Sequence, residues 1–394
     1  MKNKKMLLGI ITAIMLIVGL VILTGCKNNE ENSINNGNGE QNISEKSDKK
    51  QKDDSTVKFS SITSNNANTV ALDTEGNVWS MYNNKAPEKV NINAKITAID
   101  AGEHYTVALD TEGNVWTWGK NSSGQLGDGT TVDNDIPQKV FENVDMISAG
   151  QNAVLAITKN NELYSWGSGL YHKLPKDNSN DTENYLVPTK YESDIKFVYA
   201  ECGKSNGGMA IDIDGNRYVW GAYNFILGVE PTQIGVQSDA TPYVVKKVEN
   251  DTIKFKNIYL YINDSFAIDN DGNLYGAGGK DSVLGFVHDG KAVSKYTQIA
   301  KETKFKEICP QQKYCLALDV DGNIWAWGEK NDITTKQSDE AFKLTSDRKY
   351  KAIAFNNFTD KTAYAIDEDG NLYVWGESRG TTPTIMKVSA ERKN

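Results

Sequence analysis

Asp-rich turns hold the densest oxygen chemistry in this sequence. They read Asp212-Ile213-Asp214-Gly215-Asn216, Asp269-Asn270-Asp271-Gly272-Asn273, Asp319-Val320-Asp321-Gly322-Asn323 and Asp367-Glu368-Asp369-Gly370-Asn371. Alternating carboxylates beside Gly and Asn invite comparison with a calcium loop. Such a loop spreads its oxygen ligands over about a dozen residues and ends on a bidentate Glu. These turns hold only about four residues between strand-like runs, so Asp and Gly serve the turn itself. The three histidines, His104, His172 and His288, stand far apart, and no Cys/His cluster has zinc-ligand spacing. No nucleophile elbow, P-loop or dinucleotide fingerprint occurs. The expectation is a non-enzyme with no cofactor and no metal. A carboxylate or histidine cluster assembled in space from distant residues would be the exception.

Cys26 carries a sharper signal. Lys2, Lys4 and Lys5 precede an apolar run from Met6 to Leu23, and Leu23-Thr24-Gly25-Cys26 follows. This resembles a bacterial lipoprotein signal peptide. The resemblance implies cleavage after residue 25 and a diacylglycerol thioether on Cys26, bearing acyl chains such as palmitate. The alternative is an uncleaved membrane anchor, since 18 apolar residues just suffice to span a bilayer. Either way the rest of the chain is expected at a membrane, outside the cytoplasm. Residues 26–56 are Asn, Glu, Lys, Ser and Gly with almost nothing apolar. They cannot bury enough surface to offset ordering and read as a disordered linker.

The elements that must position any site come from a repeat. An Ala-Leu/Ile step, a tight turn and an aromatic strand recur at Ala71, Ala108, Ala156, Ala210, Ala267, Ala317 and Ala365. The clearest copy runs Val107-Ala108-Leu109-Asp110, Thr111-Glu112-Gly113-Asn114, Val115-Trp116-Thr117-Trp118-Gly119. Two runs of β-formers around Gly-Asn predict a hairpin whose Gly supplies a positive φ. Gly76, Gly113, Gly215, Gly272, Gly322 and Gly370 hold that structural place, and Asn161 holds it in the third copy. A strand ending in a small step precedes each hairpin. A strand usually led by Pro follows it, as at Pro87, Pro137, Pro188, Pro242 and Pro383. Pro suits the first residue of an edge strand because it cannot donate to the ladder. Four strands repeated about every 50 residues, apolar on both faces, predict an all-β, seven-bladed β-propeller over 57–394.

These phrases resemble the regulator-of-chromosome-condensation repeat family of seven-bladed propellers. The match rests on the A-[LI]-D-x-[DE]-G-N-[VLI]-[WY]-x-W-G phrase and on the run from Trp118 to Gly129, which contains Gly124-Gln125-Leu126-Gly127. The first copy departs with Met81-Tyr82 and the fifth with Ala277-Gly278, while Leu227-Gly228 and Leu284-Gly285 keep fragments of the longer run. The family's nucleotide-exchange activity on a small GTPase has no matching residues here, and none is carried over. Secreted bacterial propellers of this class that inhibit β-lactamases are a precedent for protein binding.

The net charge is −9, and loss of the three signal lysines makes it −12. An acidic chain without a basic cluster argues against nucleic acid. Cys202 and Cys309 fall at matching places in the fourth and sixth units. Cys309 and Cys315 lie on neighbouring strands of one unit, where a disulfide between them is the alternative, and buried free thiols are the default for all three. Loops that break the repeat are the candidate interaction surfaces: Tyr171, His172, Tyr185, Phe225, Phe286 and His288 lie in them. The expected function is a lipid-anchored extracytoplasmic binding scaffold for another protein or an envelope polysaccharide. The alternatives are an inhibitor of an envelope enzyme, a carbohydrate-binding propeller, and an enzyme.

Overall fold

The computed structural model describes residues 57–81, 85–170, 174–175, 183–204, 207–222, 226–233, 244–344, 347–356, 361–386 and 388. Cys26, the segments before and after it, Tyr171, His172 and Phe225 lie outside the described residues. What is described is all-β: seven four-stranded sheets, each an antiparallel meander of consecutive strands. Blade 1 comprises Phe59–Asn65, Asn68–Asp73, Val78–Ser80 and Glu88–Lys89. Blade 2 comprises Ile96–Ala101, Tyr105–Asp110, Val115–Gly119 and Asn134–Phe141. Blades 3 to 7 repeat the order.

The second strand of every blade is buried along its whole length, because a neighbouring blade covers each face. The repeated Ala lies in this strand and is fully buried, for example Ala108 and Ala317. Larger side chains there would hold the sheets apart. The apolar clusters sit between blades; one joins Tyr105, Val107 and Leu109 of blade 2 to Val154, Ala156 and Trp166 of blade 3.

Two details differ from expectation. Pro137, Pro188 and Pro383 lie inside the outer strands rather than leading them. Each falls where the register shifts opposite the last residues of the third strand. A bulge already forgoes a ladder bond, so a residue without N–H costs nothing there. The ring also closes without strand exchange, a point the repeat phase leaves open. The last strand, Gly380–Ile385, pairs within blade 7. Blade 1 meets it through Phe59 N–H to Gly370 O at 2.8 Å and Val57 N–H to Val388 O at 3.0 Å. Phe59, Ile62 and Met81 pack there on Tyr364, Ile366 and Val374.

Candidate functional site

The Asp-rich turns spend their carboxylates internally. In blade 2, Asp110 Oδ1 accepts the N–H groups of Glu112 and Asn114, both at 2.9 Å. Its Oδ2 accepts Asn114 Nδ2 at 2.9 Å and Trp116 Nε1 at 2.8 Å. Asp73 repeats all four bonds, and Asp319 binds Asn323 and Trp325 in the same way. In blades 4 and 5 a tyrosine hydroxyl, of Tyr218 or Tyr275, replaces the indole. Burial alone would raise Asp110, Asp269 and Asp319, but these donors outweigh it and hold all three below the usual carboxylate range. Blade 3 has Thr158 instead, whose Oγ1 accepts Glu162 N–H at 3.2 Å.

The turn glycines tie neighbouring blades together. All six have positive φ, from 75° at Gly215 to 90° at Gly113, and Asn161 sits at 61°. Gly113 O accepts Val144 N–H of blade 3 at 2.9 Å; the same tie joins Ile96 to Gly76, Phe197 to Asn161, Phe305 to Gly272 and Tyr350 to Gly322. At the remaining boundary Lys254 Nζ reaches Gly215 O instead, at 2.9 Å.

The carboxylates that are not consumed this way stand elsewhere. The first strands line a central cavity of about 220 Å³ that includes Thr63, Asp100, Glu201, Lys204, Tyr259, Glu307 and Cys309. Thr63, Asp100, Ser148, Glu201, Tyr259, Cys309 and Ala354 occupy one register level, each following the residue opposite the repeated Ala. Asp100 accepts Thr63 Oγ1 at 3.2 Å and Ala149 N–H at 2.7 Å, bridging blades 1 to 3. Glu201 receives long bonds from Ser148 Oγ and Tyr199 OH, both 3.4 Å, and a backbone N–H bond from Leu260. Burial, with Asp100 nearby, pushes its carboxyl up to about 8, against a partial offset from Lys204. Burial likewise pushes Glu307 up to about 8, relieved only in part by Ile353 N–H and Lys306. Polar residues at alternate positions of a strand otherwise flanked by core residues are the signal in the sequence that marks this channel.

Register also separates the cysteines. Cys202 pairs with Gly208, two residues before Ala210, whereas Cys309 pairs with Leu316, one before Ala317. Their places therefore do not match: a one-residue offset turns Cys202 into the core and Cys309 to the channel. Among the described residues, Cys202, Cys309 and Cys315 form no disulfide.

Of the loop candidates, Tyr185 starts an outer strand and packs half-buried against two inter-blade clusters. Phe286 packs against the blade 5–6 cluster and meets the His288 ring edge-on at 6.4 Å. His288 Nε2–H donates to Ser282 O at 2.9 Å, while the Ser282 hydroxyl donates to buried Asp264. Burial raises Asp264 to about 6, opposed by Ser282 and His288. The imidazole meets the carbonyl of Ser282 rather than its hydroxyl, so the trio does not form an activated nucleophile. Among the described residues, no group of three His, Cys, Asp or Glu is placed to hold a metal ion. Exposed aliphatic side chains include Val132 and Ile136 of blade 2, Leu170 and Val187 of blade 3, and Val287 of blade 5.

Residues 112–157 and 96–125 match models of the regulator of chromosome condensation (RCC1) repeat. The chain is 28% identical over 224 residues to the ultraviolet-B receptor UVR8 of Arabidopsis thaliana, covering 54% of this chain and 48% of the receptor. It is 28% identical over 229 residues to the mouse E3 ubiquitin-protein ligase HERC2, covering 54% of this chain and 4% of the ligase. The matches thus span half or less of these relatives. Human WBSCR16 superposes with a TM-score of 0.62 at 18% identity, covering 76% of this chain and 84% of that one. Yeast RCC1 (Prp20), solved bound to Kap60, superposes with a TM-score of 0.61 at 22% identity, covering 78% and 79%. A further Prp20p structure, from Saccharomyces cerevisiae, accompanies that protein's binding properties to Gsp1p and histones; it superposes with a TM-score of 0.60 at 21% identity, covering 78% and 81%.

Proposed function

We propose that this seven-bladed propeller of RCC1-type repeats is a lipid-anchored, extracytoplasmic binding scaffold for another protein. One observation carries the reading: the repeated turns consume their own polar groups, while Val132, Ile136, Leu170, Val187 and Val287 stay exposed on the connections and outer strands of blades 2, 3 and 5. Exposed aliphatic groups on a rigid frame suit recognition of a protein surface, and Ile213 and Val320 add to them on the repeated turns. Protein partners named for the yeast Prp20 structures support the same class of role. Cys26 and the polar residues after it supply the anchor and leash.

The test is capture from envelope extracts by the full chain, beside a Val132→Ser, Ile136→Ser, Val187→Ser variant. Loss of the captured partner in the variant supports the reading; equal capture by both removes this surface from it. Labelling with an alkyne fatty acid should modify the wild type and not Cys26→Ala. Inhibition of an envelope enzyme is the specific form an activity assay with the purified chain would reveal.

A second reading rests on the channel. Glu201 and Glu307, both held up to about 8, present protonated carboxyls near neutral pH. They could donate a proton to a small ligand. Turnover that survives Glu201→Gln with Glu307→Gln would end that reading.

A further inference from the structure

The polar side chains of the channel stand in an order along its axis. The first strands hold the same place in every blade and run the same way, and residues two apart on a strand share a face. Asp100 of blade 2 and Glu201 of blade 4 share one level, each following the residue opposite the repeated Ala. Glu307 of blade 6 lies one level earlier, opposite Leu318. Asn65 of blade 1 lies one level later, opposite Asn68. Lys204 follows the end of its strand and stands at that later end, where its Nζ reaches Ala149 O at 3.3 Å and Ala101 O at 3.4 Å. All five line the cavity of about 220 Å³.

Along the axis, then, a carboxylate comes first, a pair of carboxylates second, and an ammonium with an amide last. Three carboxylates beside one ammonium in the lining favour a guest that brings positive charge. The far end asks for the opposite. Asn65 Nδ2 is buried there and, among the described residues, has no hydrogen-bond partner, so an acceptor oxygen would satisfy it. Burial disfavours the charged form of both glutamates. Glu201 faces Asp100, Lys204, Tyr199 and Tyr259, and Glu307 faces Lys306, Tyr259 and Cys309. An ammonium group placed beside each would restore its ionisation.

We infer that this cavity binds a free dibasic amino acid of the size of lysine, lying along the channel axis. Its carboxylate takes Lys204 Nζ and Asn65 Nδ2, its α-ammonium meets Asp100 and Glu201, and its side-chain ammonium reaches Glu307. Two residues of strand advance by about 7 Å, which the methylene chain of lysine spans. The cavity is smaller than sites for drug-sized ligands, which begin near about 300 Å³. Binding here needs neither the exposed aliphatic surface nor a proton transfer, so the site goes beyond both readings above and its failure leaves the scaffold untouched.

The test is calorimetric titration of the full chain with L-lysine, with norleucine, which lacks the side-chain ammonium, and with cadaverine, which lacks the carboxylate. Saturable binding of lysine is expected at pH 8, with norleucine and cadaverine each weaker by about tenfold or more. Glu307→Gln should weaken lysine by a similar factor and leave norleucine unchanged. Lys204→Met should weaken lysine and leave cadaverine unchanged. Lysine should bind several-fold more weakly at pH 6, where the glutamates hold the protons that binding must release. No binding at about 10 mM lysine, norleucine or cadaverine as tight as lysine, tighter binding at pH 6, or undiminished lysine binding in Glu307→Gln overturns the inference. The ligand comparisons use the unaltered chain, so they decide the matter without any variant having to fold.

Discussion

Carboxylates at the hairpin turns and carboxylates in the central channel are the same chemical group held in opposite ways. Asp110 sits among four donors from its own turn, and its acidity is strengthened. Glu201 is buried in the cavity near Asp100, meets the Ser148 and Tyr199 hydroxyls at 3.4 Å, and its acidity is weakened toward neutrality. The turn recurs because a local need recurs: each hairpin must satisfy its own N–H groups and hand a carbonyl to the next blade. The channel level holds seven unlike residues, because a side chain pointing at the axis answers to no single neighbour.

The comparison can be broken most directly at a turn. Replacing Asp319 by Ala strands Asn323 and Trp325 donors in a buried place, and urea unfolding should show a loss of about 3 kcal/mol. A loss under about 1 kcal/mol would mean that the carboxylate hub is dispensable.

The channel should respond to pH with the opposite sign. A carboxyl at about 8 in the fold and near 4.5 unfolded contributes stability while protonated, and that contribution fades as pH rises from about 4.5 to 8. Each glutamate then lowers stability by up to about 1.4 kcal/mol per pH unit in that window. The gain in stability of the pair Glu201→Gln and Glu307→Gln over wild type should grow by several kcal/mol between pH 5 and pH 8. A flat wild-type profile between pH 5 and 8 would contradict the channel's electrostatics. The turns run the other way: the depressed Asp110, Asp269 and Asp319 contribute above their unfolded value near 3.8 and lose that contribution as acid protonates them.

Smaller effects sharpen the turn's side of the contrast. Gly113→Ala combines φ of 90° with a Cβ only 2.9 Å from Val144 O, and should cost about 1.5 kcal/mol in thermal or urea unfolding. Asn161→Gly should change stability by less than about 0.5 kcal/mol, because both residues accept that conformation.

Much of this molecule was legible beforehand, and the reasons are local. The hairpins announced themselves through Gly-Asn turns and β-formers at fixed offsets, and seven copies of one phrase implied seven blades. The reading of the Asp turns as structural rested on their length, and the bonds of Asp73 and Asp110 show where those oxygens go. Three things escaped it. Asp100, Glu201 and Glu307 lie more than a hundred residues apart along the chain at their extremes, so their meeting in one cavity depends on how the ring closes. Cys202 and Cys309 looked equivalent because spacing counts residues, while facing depends on register. The bulged prolines looked like strand starts because only the partner strand reveals a register shift.

By itself, then, the order of residues settled the unit, its number and its turn chemistry, since each depends on groups within about a dozen positions of one another. Which side chains face the axis and how blade 7 meets blade 1 were decided in three dimensions. Those outcomes depend on contacts between blades, which a repeat read one copy at a time does not contain.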